Sequence, residues 1–221
     1  MKRIAVFIIV LLMAVPIAFA GRKREMAGTM KDNAFLDSKY GYEIKFHDNW
    51  KGTRIGKAEE GTRLVMLQKT YATPTRYNDA KDYTQIPRLV IFADSTSMSP
   101  GAFIDSILSQ TYKSDAKKEI VKEFELLSLP DLKTRSRRTL TIADQTAVIW
   151  NAEAKYVKEI SPTGSNSAMR VAGGYSGSMV AIKNGNVLVF FHLSCEREFF
   201  DAIMAEAMTM INGITWVKPT N

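Results

Sequence analysis

The run VLVFFHL at residues 187–193 is apolar at both odd and even positions, with His192 as its polar member. Successive side chains of a β-strand point to opposite faces, so a strand of this composition has to be covered on both sides. Asn184 and Gly185 precede it, and this pair is a strong hairpin signal because both residue types tolerate positive φ. We therefore expect a central antiparallel strand in a sheet that has other elements packed on both faces.

Patterns elsewhere predict further strands and two helical regions around this strand. Over residues 40–46, large aromatic or aliphatic residues alternate with glycine or charged residues, which is typical of a half-buried strand. Ser99 followed by Pro100 suits an N-cap and a first helical residue, and the pattern leaves open whether residues 100–127 form one helix or two. Further strands are expected over 62–69, 88–93, 139–142, 145–156, 177–183 and 186–193, a helix over 198–210, and a short last strand or tail at 214–217.

The order of these elements predicts the fold class. Strands, a helix, hairpins and a helix follow one another, without the regular strand–helix alternation of a parallel sheet. The expected class is α+β, an antiparallel β-sheet with helices packed on its faces. No linker rich in Pro, Gly or Ser interrupts the middle, so we expect a single domain over 35–217, preceded by a flexible polar stem at 21–34 and followed by a tail at 218–221.

Residues 1–20 have the pattern of a secretory signal peptide. A short positive head precedes an apolar run that ends in Ala18-Phe19-Ala20, and the small residues at its end suit cleavage after Ala20. We expect export to the periplasm or to the outside of the cell. The alternative is an uncleaved N-terminal membrane anchor, which the positive residues 22–24 favour because charge just after an apolar run slows export.

Taken together, these patterns resemble the PsbP-like family, whose fold is shared by a Ran-binding nuclear-import factor. The resemblance is carried by Tyr40-Gly41-Tyr42 leading to Trp50, by the hairpin MVAIKNGNVLVFFHLSC at 179–195 with the helix after it, and by Ile214-Thr215-Trp216. It covers about residues 35–217, and it implies an α/β/α sandwich that acts by binding rather than by catalysis. The chain departs from the family pattern in two ways. His47 stands where a proline is typical, and the polar loop expected at 70–85 has no counterpart.

No combination of residues in the sequence completes a recognised catalytic or metal-binding set. The segment GGYSGS at 173–178 lacks the spacing of a nucleophile elbow, and His47 and His192 stand in no zinc-binding arrangement. Cys195 is the single cysteine, and its separation from His192 along a strand puts the two side chains on opposite faces. We therefore expect no catalytic, cofactor-binding or metal-binding residues and no enzymatic activity, with a hydrolase of unrecognised site as an alternative.

The densest group of positive charges is Lys133, Arg135, Arg137 and Arg138, in a chain of net charge +7. Arg135 and Arg137 have the same parity, so alternation places both on one strand face, where they can meet an anion, an acidic lipid surface or a partner. A solvated strand edge that resists aggregation uses the same residue types. We expect a protein or small-ligand partner and, because of export, no nucleic acid. The alternative is a cell-envelope association factor that these residues and residues 22–24 hold at an anionic membrane.

Overall fold

The computed structural model describes residues 28–55, 63–69, 87–113, 117–118, 121, 127, 131–160 and 169–219. In chain order its strands and helices are β1 (Thr29–Lys31), β2 (Ala34–Asp37), β3 (Tyr42–Lys45), β4 (Trp50–Ile55), β5 (Arg63–Lys69), β6 (Arg88–Ser95), α1 (Pro100–Leu108), β7 (Lys133–Ile142), β8 (Gln145–Ile160), β9 (Met169–Asn184), β10 (Val187–Glu196), α2 (Phe200–Asn212) and β11 (Thr215–Trp216). A small sheet has the strand order β1-β2-β3-β11, and a large sheet has the order β4-β5-β6-β10-β9-β8-β7. The paired strands are antiparallel throughout.

Strand β10 lies inside the large sheet, between β6 and β9. On one face, Val189 and Phe191 join a core shared with the small sheet and α2, which we call the α2-side core. On the opposite face, Leu188 and Phe190 join a core shared with α1, which we call the α1-side core. The prediction that both faces of this strand are covered is confirmed, and so is the α+β class with helices on the faces of an antiparallel sheet.

The small sheet covers the α2-side core with the aromatic face of β3. Tyr42 and Ile44 are fully buried there. The chain enters β3 through a turn in which Gly41 has φ +69°, and a Cβ at this position would lie 2.5 Å from the carbonyl oxygen of Val217. Glycine is therefore needed both for the backbone conformation and for the close approach of the C-terminal segment.

Helix α1 begins with the cap that the sequence predicted. The Ser99 hydroxyl oxygen accepts a hydrogen bond from the Ala102 N–H at 3.2 Å, and Pro100 is the first helical residue. The helix ends at Leu108, and Gln110 has φ +56°, which a continuing α-helix does not allow. The helical pattern that begins at residue 100 is therefore interrupted, and the described residues 117, 118, 121 and 127 are helical beyond the break.

Three details differ from the sequence-based expectations. Strand β1 lies inside the expected stem at 21–34, and its Met30 packs against the α2-side core. The strands divide between two sheets, whereas we expected one. Asn184 ends β9, so Gly185 and Asn186 form the hairpin turn one residue later than expected.

Several expectations fall outside the part of the chain that the structure describes. They are the signal peptide at 1–20, the positive residues 22–24, and the loops expected at 70–85 and 161–167. Within the described residues, no helix has the length and apolar character needed to cross a membrane.

The turn between β7 and β8 gives a test of the fold. Asp144 is exposed and has φ +62°, a conformation that glycine adopts without steric cost. We expect Asp144→Gly to raise the free energy of unfolding by about 0.5–1 kcal/mol, measured by urea unfolding. Asp144→Asn controls for the lost charge and should change little. Ala102→Gly, in the exposed part of α1, should lower stability by about 0.5 kcal/mol or more. A decrease with Asp144→Gly would contradict the turn geometry.

Candidate functional site

The predicted cationic residues lie on β7, at the outer edge of the large sheet. Residues 133–139 and Thr141 are exposed, whereas Leu140 is half-buried and Ile142 is buried. Strand β7 is joined to β8 through Ala143 and Asp144, which both have positive φ. Positive φ at both residues of a two-residue loop is the signature of a type I′ turn, which matches the twist of the paired strands.

A β-bulge divides the cationic residues between the two faces of β7. The pairing of β7 with β8 is interrupted at Arg135, which is the extra residue of the bulge. Arg137 lies opposite Trp150, whose ring belongs to the α1-side core, whereas Arg135 contacts Glu153 on the other face. The expectation that Arg135 and Arg137 share one face is therefore wrong, because simple alternation does not hold across a bulge.

Arg137 ties β7 to the first turns of α1. Its Nη1 and Nη2 donate to the two carboxylate oxygens of Asp105 at 2.5 and 3.1 Å, and Nη2 also donates to the Gly101 carbonyl oxygen at 3.0 Å. The hydrogen bond to Asp105 raises the pKa of Arg137. A bidentate pair of this kind fixes the direction of the guanidinium as well as its charge.

Arg135 lies on the opposite face of β7 and is held in a similar way. It donates to Glu153 Oε2, which also accepts from Arg197 Nη1 at 3.4 Å. The hydrogen bond from Arg135 is the main cause that lowers the pKa of the Glu153 carboxyl. Glu153 therefore stays charged over the ordinary pH range and keeps Arg135 on its own face of the sheet.

Lys133 and Arg138 differ from these two arginines. In the part of the chain that the structure describes, neither side chain makes an ion pair or a hydrogen bond, and both are exposed. An exposed cation that forms no ion pair can approach an external anion without giving up an internal partner. The predicted cluster thus contains two neutralised and two unneutralised cations.

A groove of about 510 Å³ lies between the N-terminus of α1 and the β7–β8 hairpin. It is lined by Ser99, Pro100, Gly101, Arg137, Arg138, Thr139, Thr146 and Val148. Hydroxyl groups, the positive end of the α1 dipole and the charge of Arg138 at the adjoining sheet edge favour a negatively charged group there. Sequence analysis singled out the two arginines and the Ser99-Pro100 cap but did not predict that they line one groove, because α1 and the β7–β8 hairpin are distant in the chain.

The two histidines lie on opposite sides of the large sheet. His47 is exposed in the turn after β3, on the side of the α2-side core. His192 is fully buried in β10 and shares the face of Phe190, in the α1-side core. Cys195 faces the α2-side core, so the prediction that it and His192 point to opposite faces is confirmed. Burial raises the pKa of the Cys195 thiol to about 12, so little reactive thiolate forms.

The serines of the GGYSGS segment lie inside a strand. Ser176 and Ser178 are both buried in β9. A nucleophile elbow instead sits on a sharp turn between a strand and a helix. Among the described residues, no group of three or more His, Cys, Asp and Glu side chains is arranged to hold a metal ion.

Two lysines that sequence analysis did not single out support the segment before α1. Lys117 is 4% exposed; its Nζ donates to Met98 Sδ at 3.1 Å and lies 5.0 Å from the centre of the Phe103 ring. Burial lowers the pKa of Lys117, and the negative charge of Asp94 partly offsets this shift. Lys183 Nζ donates to the Met98 carbonyl oxygen at 2.8 Å. Met98 directly precedes the groove, so both lysines help to hold the start of α1 in place.

His192 makes the stability of the protein depend on pH. Burial lowers its pKa from 6.5 to about 3, so the unfolded chain takes up a proton at a higher pH than the folded one. Stability is therefore lost as the pH falls from 6.5 toward 3, and this group should cost about 2 kcal/mol between about pH 7 and about pH 5. We expect His192→Gln to reduce this pH-dependent loss by that amount, in urea unfolding at both pH values. His47→Gln, at an exposed position, serves as the control. Equal pH dependence in His192→Gln and the unsubstituted protein would contradict the burial of this imidazole.

Comparison with known proteins identifies structural similarity at low sequence identity. No family model and no curated protein sequence matches the chain. Cyanobacterial PsbP from Synechocystis is similar with a TM-score of 0.47 at 12% identity, over 89% of this chain and 99% of that one. A Pseudomonas aeruginosa protein of unknown function is similar with a TM-score of 0.42 at 13% identity, over 78% and 99% of the two chains. LpqN of Mycobacterium tuberculosis, involved in cell envelope biogenesis, is similar with a TM-score of 0.35 at 12% identity, over 77% and 92%.

The structural similarity to PsbP expected from the sequence is thus found, at low identity. At 12–13% identity and TM-scores below 0.5, these similarities describe the fold in outline and do not extend to function.

Proposed function

We propose that the protein is an exported, non-enzymatic binding protein that holds an anionic group of its ligand or partner in the groove beside α1. The observation that carries this proposal is the arrangement around Arg138. Arg138 is among the residues that line the groove, and its exposed side chain, which the strand register places on the other face of β7 at the open edge, has no carboxylate partner among the described residues. The α1 N-terminus lies on the same groove and adds positive potential.

The placement of the reactive side chains supports binding rather than catalysis. General acid–base and nucleophilic catalysis need reacting groups within hydrogen-bond reach of each other. His47 and His192 lie on opposite sides of the large sheet, and the Cys195 thiol is buried with a raised pKa. None of these side chains lines the groove.

The division of the cations between two faces of β7 bears on the kind of ligand. A flat anionic membrane is best matched by cations on one face. Here the bulge and the carboxylates hold Arg135 and Arg137 on opposite faces. A compact anion or a narrow segment of a partner fits this arrangement better, and membrane association becomes an outcome of the test.

The proposal is tested by titrating the protein, purified from its host in the form that remains after any N-terminal processing, with three anionic probes of different size. They are citrate, poly-L-glutamate and vesicles that contain phosphatidylglycerol, each beside an uncharged counterpart. Backbone amide shifts in NMR spectra report where a probe binds. We expect at least one anionic probe to bind at the groove, and Arg138→Gln to weaken that binding by about threefold at low salt.

Lys51→Gln is the matched control, because Lys51 is an exposed lysine in β4 at the opposite edge of the large sheet. It removes one positive charge without touching the groove and should leave binding unchanged. Binding of vesicles alone would favour the membrane alternative. Absence of binding by every anionic probe, or equal effects of the two substitutions, would overturn the proposed function.

A further inference from the structure

The type I′ turn determines which backbone groups of β7 point outward. In a two-residue hairpin the pair next to the turn is hydrogen-bonded, and hydrogen-bonded and non-hydrogen-bonded pairs then alternate. Following the register back from the turn, Arg137, Thr139 and Thr141 fall in non-hydrogen-bonded pairs. Their N–H and C=O groups therefore point away from β8, toward the outer edge of the sheet.

This outer edge is open in the part of the chain that the structure describes. No described strand pairs with it, and Arg137, Thr139 and Thr141 make no backbone hydrogen bond on that side. The ladder with β8 is regular over residues 136–142 and contains no proline. A free row of donors and acceptors of this length can pair with another extended chain.

The charged side chains of β7 leave this row accessible. Charges protect a sheet edge when their side chains extend across it. The guanidinium groups of Arg135 and Arg137 are instead held to Glu153 on one face and to Asp105 on the other. Arg138 and Lys133 keep unneutralised charge beside the same edge.

Charge complementarity then specifies the chain that would fit. An added strand alternates its side chains between the two faces of the sheet. On the face of α1 they would lie beside Arg137 and the groove, and on the other face beside Arg138, which lies opposite Ile149 of the α2-side core. On the α1 face the positive end of the α1 dipole favours acidic residues, and on the other face Arg138, unpaired among the described residues, does so; Val148 adds a small apolar contact among the residues that line the groove.

We propose that β7 binds an extended acidic segment of a partner protein as an additional strand of the large sheet. This inference rests on the proposed function, because it names the class of partner whose anionic groups the groove holds. Backbone hydrogen bonds supply affinity that does not depend on sequence, and Arg138 together with the α1 dipole selects acidic side chains.

The test uses a short capped peptide of alternating Glu and Thr, with a Gln-and-Thr peptide and a proline-interrupted version as controls. We expect the Glu peptide to bind and to slow hydrogen exchange at the amides of Arg137, Thr139 and Thr141, while the control peptides bind at least tenfold more weakly. Hydrogen exchange is measured on the unsubstituted protein, so it tests the added strand even if a substitution disturbs folding.

A proline at position 139 tests the backbone contact directly. The Thr139 N–H points outward, so proline there leaves the ladder with β8 intact and removes a donor that the added strand needs. We expect Thr139→Pro to raise the peptide Kd at least tenfold. Thr139→Ala keeps the N–H and removes only the side-chain hydroxyl and methyl group. We expect it to raise the peptide Kd several times less than Thr139→Pro does. Urea unfolding and far-UV circular dichroism show whether each variant keeps its fold.

The outcomes separate this inference from the proposed function. Peptide binding with protection of the three amides, lost in Thr139→Pro, supports the added strand. Peptide binding without that protection, or with equal Kd in Thr139→Pro, overturns it. If citrate binds at the groove while the peptide does not, the strand inference fails and the proposed function stands. If no anionic probe binds, both fail.

Discussion

Burial of β10 on both faces is the constraint on which the rest of this structure depends. Phe190 and Phe191 are adjacent in sequence and fully buried, yet they point into different cores. Each such side chain stabilises the fold by about 1.5–3 kcal/mol only if its own face is covered. Helix α1 has to cover one face, and α2 with the small sheet has to cover the other. The same requirement isolates His192 and Cys195 from each other and from solvent.

The edge strand β7 of the large sheet is exposed where β10 is buried. Strand β10 has strand neighbours on both sides and packing on both faces, whereas β7 pairs with one strand in the described part of the chain and is exposed over residues 133–139. Its cations are therefore organised by individual carboxylates and by one bulge, and not by packing. Arg137 reaches Asp105 on α1, which brings the helix N-terminus beside the hairpin and creates the groove between them. The candidate site therefore results from the contact between the edge strand β7 and helix α1.

Much of the fold was predictable because the relevant signals are local. The alternation around Tyr42, the Ser99 cap and the residues before VLVFFHL each report on the few residues around them. The bulge at Arg135 was not predictable from the sequence. One extra residue moves the preceding side chains of the strand to the other face of the sheet, and the residue types in the strand give no sign of it. The burial of Lys117 was also missed, since lysine is rarely buried and its contacts with Met98 and Phe103 are made across the fold.

The sequence by itself determined the α+β class, the central position of β10, the cap of α1 and the concentration of positive charge on one strand. These features follow from side-chain periodicity and from turn and cap chemistry, which act over a few residues. Tertiary structure alone decided that Glu153 and Asp105 neutralise Arg135 and Arg137 while Arg138 remains unneutralised beside a groove. The partners in these contacts are far apart in the chain, so the charge that a ligand meets depends on which segments packing brings together.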